Sequence, residues 1–303
     1  MKIKIYLLLL ILPLYSFGYS KTKHTKIPRT RVSIRIPNGY SIMTTGIGLI
    51  KDEKQAITIM DIIGGNYFSN QKDFNRKYFE AQGLTVYSTQ KVNIDGYPGT
   101  LMVTNTNDKN LNGIMVAFGD SSFVTMISSI HEANNIELEG LLKETILSIT
   151  YNNEISIDPF EDVCFSSDTS STDFKFTLFS SNIYVFTPFG EDNPEEEAMI
   201  ILTPTPFDKN ITLEQVSQTS TNGLKRNGFY GFIIDSTKTY QIDDTNALLK
   251  IGDCYTGVNN MYYHQLILQK DDIVLMIYGM CENKDEEMKK EISKFCDLIR
   301  NTN

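Results

Sequence analysis

Asn93-Ile94-Asp95-Gly96-Tyr97-Pro98-Gly99-Thr100-Leu101-Met102-Val103 has a counterpart 148 residues later in Gln241-Ile242-Asp243-Asp244-Thr245-Asn246-Ala247-Leu248-Leu249-Lys250-Ile251. Each stretch joins the end of one expected strand to the start of the next across a turn. Working outward, Phe123-Val124-Thr125-Met126-Ile127 matches Ile273-Val274-Leu275-Met276-Ile277 at a spacing of 150. Ala56-Ile57-Thr58-Ile59-Met60 matches Ala198-Met199-Ile200-Ile201-Leu202 at 142. Helical patterns ending at Ile149 and Ile299 close the two series, again 150 apart. The spacing drifts slowly, as loop insertions make it do, and the ordered set identifies one structural unit used twice.

Each unit opens with an early hairpin. In the first it runs through Val32–Pro37, Tyr40–Leu49 and Ala56–Ile63; in the second, through Phe174–Phe179, Asn182–Phe186 and Ala198–Pro204. A helix follows. In the first unit it is expected over about 71–82, with Asn70 as cap, Asp73 three residues on, a Phe74/Tyr78/Ala81 stripe and Gly83 just past its end. In the second unit Thr212 and Gln215 form a capping-box pair and Gly228 ends the pattern. Ser217, Thr219, Ser220, Thr221 and Gly223 weaken that helix. Strands are then expected over Val86–Ile94, Gly99–Asn105, Leu111–Phe118 and Ser122–Ile130, and over Gly231–Gln241, Ala247–Tyr255, Met261–Gln269 and Asp272–Met280. A last amphipathic helix presents Leu138, Leu141, Leu142, Thr145 and Ile149, or Met288, Ile292, Phe295 and Ile299, with Asn135 and Asn283 as caps. Strands grouped between helices give an α+β class: two similar domains, each an antiparallel β-sheet flanked by helices.

Residues 1–20, MKIKIYLLLLILPLYSFGYS, carry Lys2 and Lys4 ahead of an apolar core from Ile5 to Tyr15, then Ser16-Phe17-Gly18. This is the layout of an export signal cleaved after Gly18, or alternatively after Ser20. The expected division is a signal peptide over 1–18, a first repeat over 30–151, a connector over 152–173 and a second repeat over 174–303. The connector is marked by the polar run Ser166-Ser167-Asp168-Thr169-Ser170-Ser171-Thr172-Asp173. With the signal removed, no transmembrane segment is expected. The chain is predicted to be exported, periplasmic or extracellular.

The element order and the NIDGYPGTLMV step resemble the PsbP/Mog1-like fold. That superfamily includes an extrinsic photosystem II subunit, a Ran-binding nucleotide-release factor and bacterial envelope proteins of the DcrB and LpqN kinds. The resemblance covers about Thr30–Tyr151 and again about Phe174–Arg300. In the second unit Asp244-Thr245-Asn246-Ala247 stands where the first has Gly-Tyr-Pro-Gly. The resemblance implies a binding or adaptor role without catalysis, and it transfers no catalytic residue.

Composition narrows the chemistry. The 303 residues include 28 Lys+Arg against 37 Asp+Glu, a net charge of −9 with no basic run. Nucleic acid is therefore not expected as a partner. His131-Glu132-Ala133-Asn134-Asn135 begins like a zinc-protease motif but has no second histidine, and neither G-x-S-x-G nor a phosphate-binding glycine loop occurs. No metal, cofactor or catalytic residue is assigned. Cys164, Cys254, Cys281 and Cys296 contain no C-x-x-C pair; Cys254 with Cys281 is the first candidate for a disulfide in an oxidising compartment. Strand alternation puts Tyr262, His264, Leu266 and Leu268 on one face, with Tyr255 and Tyr230 nearby. Tyr230, Tyr255, Tyr262 and His264 are the candidate ligand- or partner-binding residues, against the plainer reading of core and edge packing. The expected function is a non-enzymatic binding protein for a protein or small ligand. The alternative is an envelope hydrolase using His264 or His131.

Overall fold

The computed structural model describes residues 23–302, apart from 73, 107, 109, 189, 191–197 and 243. The expected signal at 1–18, the acidic residues 191–192 and 195–197, Asp73 and Asp243 lie outside the described residues.

The first unit runs β1 (Thr25–Lys26), β2 (Val32–Ile34), β3 (Ser41–Ile42), β4 (Gly48–Asp52), β5 (Gln55–Ile63), α1 (Tyr67–Asn70), α2 (Arg76–Ala81), β6 (Val86–Ile94), β7 (Tyr97–Asn105), β8 (Leu111–Gly119), β9 (Phe123–Glu132), α3 (Ile136–Leu147) and β10 (Thr150–Tyr151). Its main sheet has seven antiparallel strands in the order β3-β4-β5-β9-β8-β7-β6. The second unit runs β11 (Phe165–Ser167), β12 (Phe174–Ser180), β13 (Ile183–Pro188), β14 (Met199–Pro206), α4 (Leu213–Arg226), β15 (Tyr230–Ile242), β16 (Thr245–Tyr255), β17 (Asn260–Lys270), β18 (Ile273–Glu282), α5 (Glu286–Leu298) and β19 (Ile299–Asn301). Its seven strands follow β12-β13-β14-β18-β17-β16-β15, the same permutation. Both signature hairpins share a register: Ile94 faces Tyr97, and Ile242 faces Thr245. In the first, Asp95 (φ +51) and Gly96 (φ +91) both take the left-handed turn conformation. That is the requirement of a two-residue loop matching strand twist.

Each sheet buries one face under its last helix. Leu142 and Ile146 of α3 join Leu49, Ile57, Leu101, Val116 and Phe118 in the first core. Ile292 and Phe295 of α5 join Leu266, Leu268, Leu275 and Ile277 in the second. Burying such a side chain contributes about 2 kcal/mol. The approach of α5 is close: a Cβ on Gly279 would stand 2.2 Å from Ile292 Cγ2. The strand after each last helix returns to the start of its own unit, β10 to β2 and β19 to β11.

Several local expectations are corrected. The helix expected over 71–82 is only the six residues of α2, because Asn75 acts as its N-cap by accepting from Tyr78 N; a separate short helix, α1, capped by Asn66, precedes it. An asparagine whose amide oxygen binds a nearby N–H starts a helix more readily than it continues one. Asn70 is the last residue of α1 and not a cap. The cap of α5 is Asp285, two residues past Asn283. Tyr40–Leu49 is not one strand: β3 and β4 fold back on each other. Leu141 is exposed on α3. Within 152–173 lies β11, and β1 precedes Thr30.

Candidate functional site

The two units are joined by a buried polar contact around Arg29. Its side chain is 3% exposed and its backbone sits at φ +62. Nη1 donates to Asn182 Oδ1 at 2.7 Å and to Tyr184 Oη at 3.1 Å; Nη2 donates to the Gly46 carbonyl at 2.8 Å. Asn182 in turn donates from Nδ2 to Thr45 O at 2.6 Å and Pro204 O at 2.9 Å. Ser181 and Asn182, both at positive φ, form the tip of the β12–β13 hairpin, so the second unit inserts a turn into the first. Phe179 packs against both main cores. Glu161 Oε2 accepts from Lys26 Nζ at 2.6 Å and Arg29 N at 3.2 Å, and the Lys26 bond holds its carboxyl below the usual range.

Beside this joint lies a groove of about 410 Å³ on the face of the first sheet turned away from α3. Thr58 and Met60 of β5, Met115 of β8, and Met126 and Ser128 of β9 form its floor. Phe74, between α1 and α2, lines it as well, as do Ser181 and Asn182 from the second unit. Thr58 Oγ1 and Ser128 Oγ share a hydrogen bond at 2.6 Å. The lining is largely apolar and built on rigid strands. Methionine side chains adapt to varied apolar partners.

The register explains why this face is open. Ser128 faces Thr58 on one side and Met115 on the other. In the second sheet Tyr278 faces Ile201 and Gln265 in the same arrangement. That second position is filled: Ser217 Oγ of α4 donates to Gln265 Oε1 at 2.6 Å, and Gln265 Nε2 donates to Ser220 Oγ at 3.0 Å and Tyr278 Oη at 3.4 Å. Ser217 is 0% exposed. The first unit has only the six residues of α2 and four of α1 where the second has fourteen in α4. Tyr67 and Phe74 cover Val124, Ala117 and Met102; Met115 and Met126 pack against that cluster and stay partly exposed, and Thr58 is exposed.

The residues singled out in the sequence form two separate pairs. Tyr230 and Tyr255 face each other across β15 and β16, exposed, with ring centroids 5.2 Å apart. Tyr262 Oη and His264 Nδ1 lie 3.2 Å apart, buried on the α5 side. His264 is 2% exposed, and burial pushes it down to about 4. Burial pushes the Tyr262 phenol up to about 12. His131 is 1% exposed; its Nε2 stands 3.6 Å from Glu139 Oε2, whose carboxylate binds Lys143 at 2.6 Å. Desolvation lowers the His131 pKa, and Glu139 opposes this in part.

Cys254 and Cys281 are free and buried in different cores, Cys254 with Tyr263 and Met280, Cys281 with Leu266 and Phe295. The pairing expected from the sequence is therefore not made: the two thiols face opposite sides of the sheet. Burial raises them to about 11 and about 12. Arg29, Asn182 and the methionine floor were not singled out in the sequence. Their only local signal is the polar Ser180-Ser181-Asn182 tip and the alternation of Thr58 and Met60 with Ile57 and Ile59.

No protein-family model matches the chain, and no curated protein matches it. Among solved structures, it is similar to cyanobacterial PsbP (CyanoP) from Synechocystis sp. PCC 6803, with 10% identity over 50% of this chain and 99% of that one, at a TM-score of 0.33. The immunity protein TplEi of a T6SS from Pseudomonas aeruginosa shares 11% identity over 91% and 96% of the two chains, at 0.35. The Tle4–Tli4 complex gives 12% over 91% and 96%, at 0.37. Likenesses this loose carry no functional argument. Among the described residues no helix is long and apolar enough to cross a membrane.

Proposed function

We propose that this chain is an exported, non-enzymatic binding protein made of two PsbP/Mog1-like domains. Its partner seats on the Met60/Met115/Met126 groove of the first domain, beside the Ser181–Asn182 turn of the second. The observation carrying the reading is that open groove, bordered by residues of both domains and held by the Arg29 contacts. A rigid, largely apolar concavity of this size is the ordinary form of a binding site. The N-terminal pattern around Lys2, Lys4 and Ile5–Tyr15 supports export. A hydrolase has weaker support, since both candidate imidazoles lie beneath helices, out of reach of a substrate.

The test is photocrosslinking in the cells that make the protein. A benzophenone side chain is placed at position 115, or at position 258 in the exposed turn of the second domain. A defined adduct from position 115 and none from 258 is the expected result. Adducts from 258 alone, or equal smears from both, contradict the groove.

A further inference from the structure

Resting on that groove, we infer that its occupant is an amphipathic α-helix with acidic flanks, presented by a partner protein. The second domain supplies the first argument. At the same register position of the same sheet, the chain seats its own helix: α4 lies over Gln265 and Tyr278, with Ser217 and Ser220 in the contact. The helix is fourteen residues, or about 21 Å at 1.5 Å per residue. The first domain keeps the seat and covers only part of it, with the short α1 and α2 and with Tyr67 and Phe74.

The floor specifies which face the incoming helix must show. α4 packs Leu213, Val216 and Leu224 on apolar positions of its sheet and adds Ser217 and Ser220 against Gln265 and Tyr278; in the amide and phenol's place the first domain offers Met60, Met115, Met126 and Phe74. The methionines offer no equivalent of the Gln265 amide to serines at the Ser217 and Ser220 positions. A stripe of large apolar side chains at i, i+3, i+4 and i+7 fits instead.

Charge supplies the second argument. The segment flanking Phe74 reads Lys72-Asp73-Phe74-Asn75-Arg76-Lys77, three cations to one acid, in a chain with 37 acids and 28 bases. Arg76 lies 3.5 Å from Glu80; Lys72 and Lys77 make no ion pair among the described residues. Lys72 and Lys77 are exposed on the segment that carries the lining residue Phe74, and cations on that one side of an apolar floor favour glutamate or aspartate beside the apolar stripe over lysine.

The experiment uses the chain from residue 19 and three fluorescent 16-residue synthetic peptides. One is an amphipathic helix with leucine in the stripe and glutamate on its flanks. One has the same composition scrambled, and one has lysine for glutamate. The first is expected to bind at least tenfold tighter than either other. Thr58→Glu, at an exposed floor position, and Met126→Glu are each expected to weaken it at least tenfold, and Val258→Glu to leave it unchanged. Lys72→Glu with Lys77→Glu is expected to invert the preference between glutamate and lysine peptides. Equal binding of helix and scramble, or binding that survives Thr58→Glu, overturns the helix. If position 115 still crosslinks in cells while the peptide preference fails, or the adduct is a lipid or small molecule, the groove stands and the helical occupant falls. If position 115 does not crosslink, the groove itself falls.

Discussion

Met115 of the first domain and Gln265 of the second hold the same place in their sheets. Each faces the residue, Ser128 or Tyr278, that completes a row with β5 or β14. One borders a partly open groove and the other meets Ser217 and Ser220 of α4. The same fold therefore presents one partly open and one filled seat, and the exchange of an amide for a thioether marks the difference.

The filled seat depends on its polar network. Gln265→Met is expected to destabilise the chain by about 2 kcal/mol, because it strips the partners of the buried Ser217 hydroxyl. Met115→Gln, on the open side, is expected to change stability by less than about 0.5 kcal/mol. Urea denaturation of both variants checks this; equal effects contradict the asymmetry.

Arg29 is the fastener between domains. Arg29→Met leaves Asn182 and the Gly46 carbonyl without their charged donor and is expected to cost about 3 kcal/mol. Small-angle scattering of the variant is expected to show a larger radius of gyration than wild type. An unchanged profile with unchanged stability would mean the domains are held by Phe179 and the Asn182–Thr45 bond without Arg29.

The buried histidines set an acid limb. The folded-state pKa of His264 is about 4, against 6.5 in the unfolded chain, and His131 is shifted the same way. Between those values the unfolded state binds the extra proton, so stability is full above pH 6.5 and falls as pH drops toward 4. For His264 alone the loss is roughly 3 kcal/mol, at about 1.4 kcal/mol per pH unit. His264→Gln is expected to flatten this limb in denaturation curves taken from pH 7 to 4. An undiminished slope would place the titration elsewhere.

Much of the architecture was legible because strand alternation and turn chemistry are local. Leu266 and Leu268 face the α5 core as their alternation with Ile267 requires, and Thr212 with Gln215 forms the capping box. The break between α1 and α2 was harder, since Asn70 and Asn75 are equally good caps by type. The joint was not legible: Arg29 and Asn182 are 153 residues apart and meet only when both domains are folded. Met60, Met115 and Met126 read as ordinary apolar strand positions. Only the shortness of the overlying helices makes them a site.

All four cysteines are expected to remain thiols. Alkylation of the denatured, unreduced protein is expected to add four groups, because all four thiols are free, with Cys254 in a core apart from Cys164, Cys281 and Cys296. A mass two units low, with two groups missing, would contradict this placement.

The most direct measurement is native mass spectrometry of the mature protein purified from the cells that make it, beside its Thr58→Glu variant. A stoichiometric extra mass on the wild type that is absent from the variant is the predicted result. A bare wild-type chain, or an extra mass retained by the variant, would contradict a binding site on the first domain's open face.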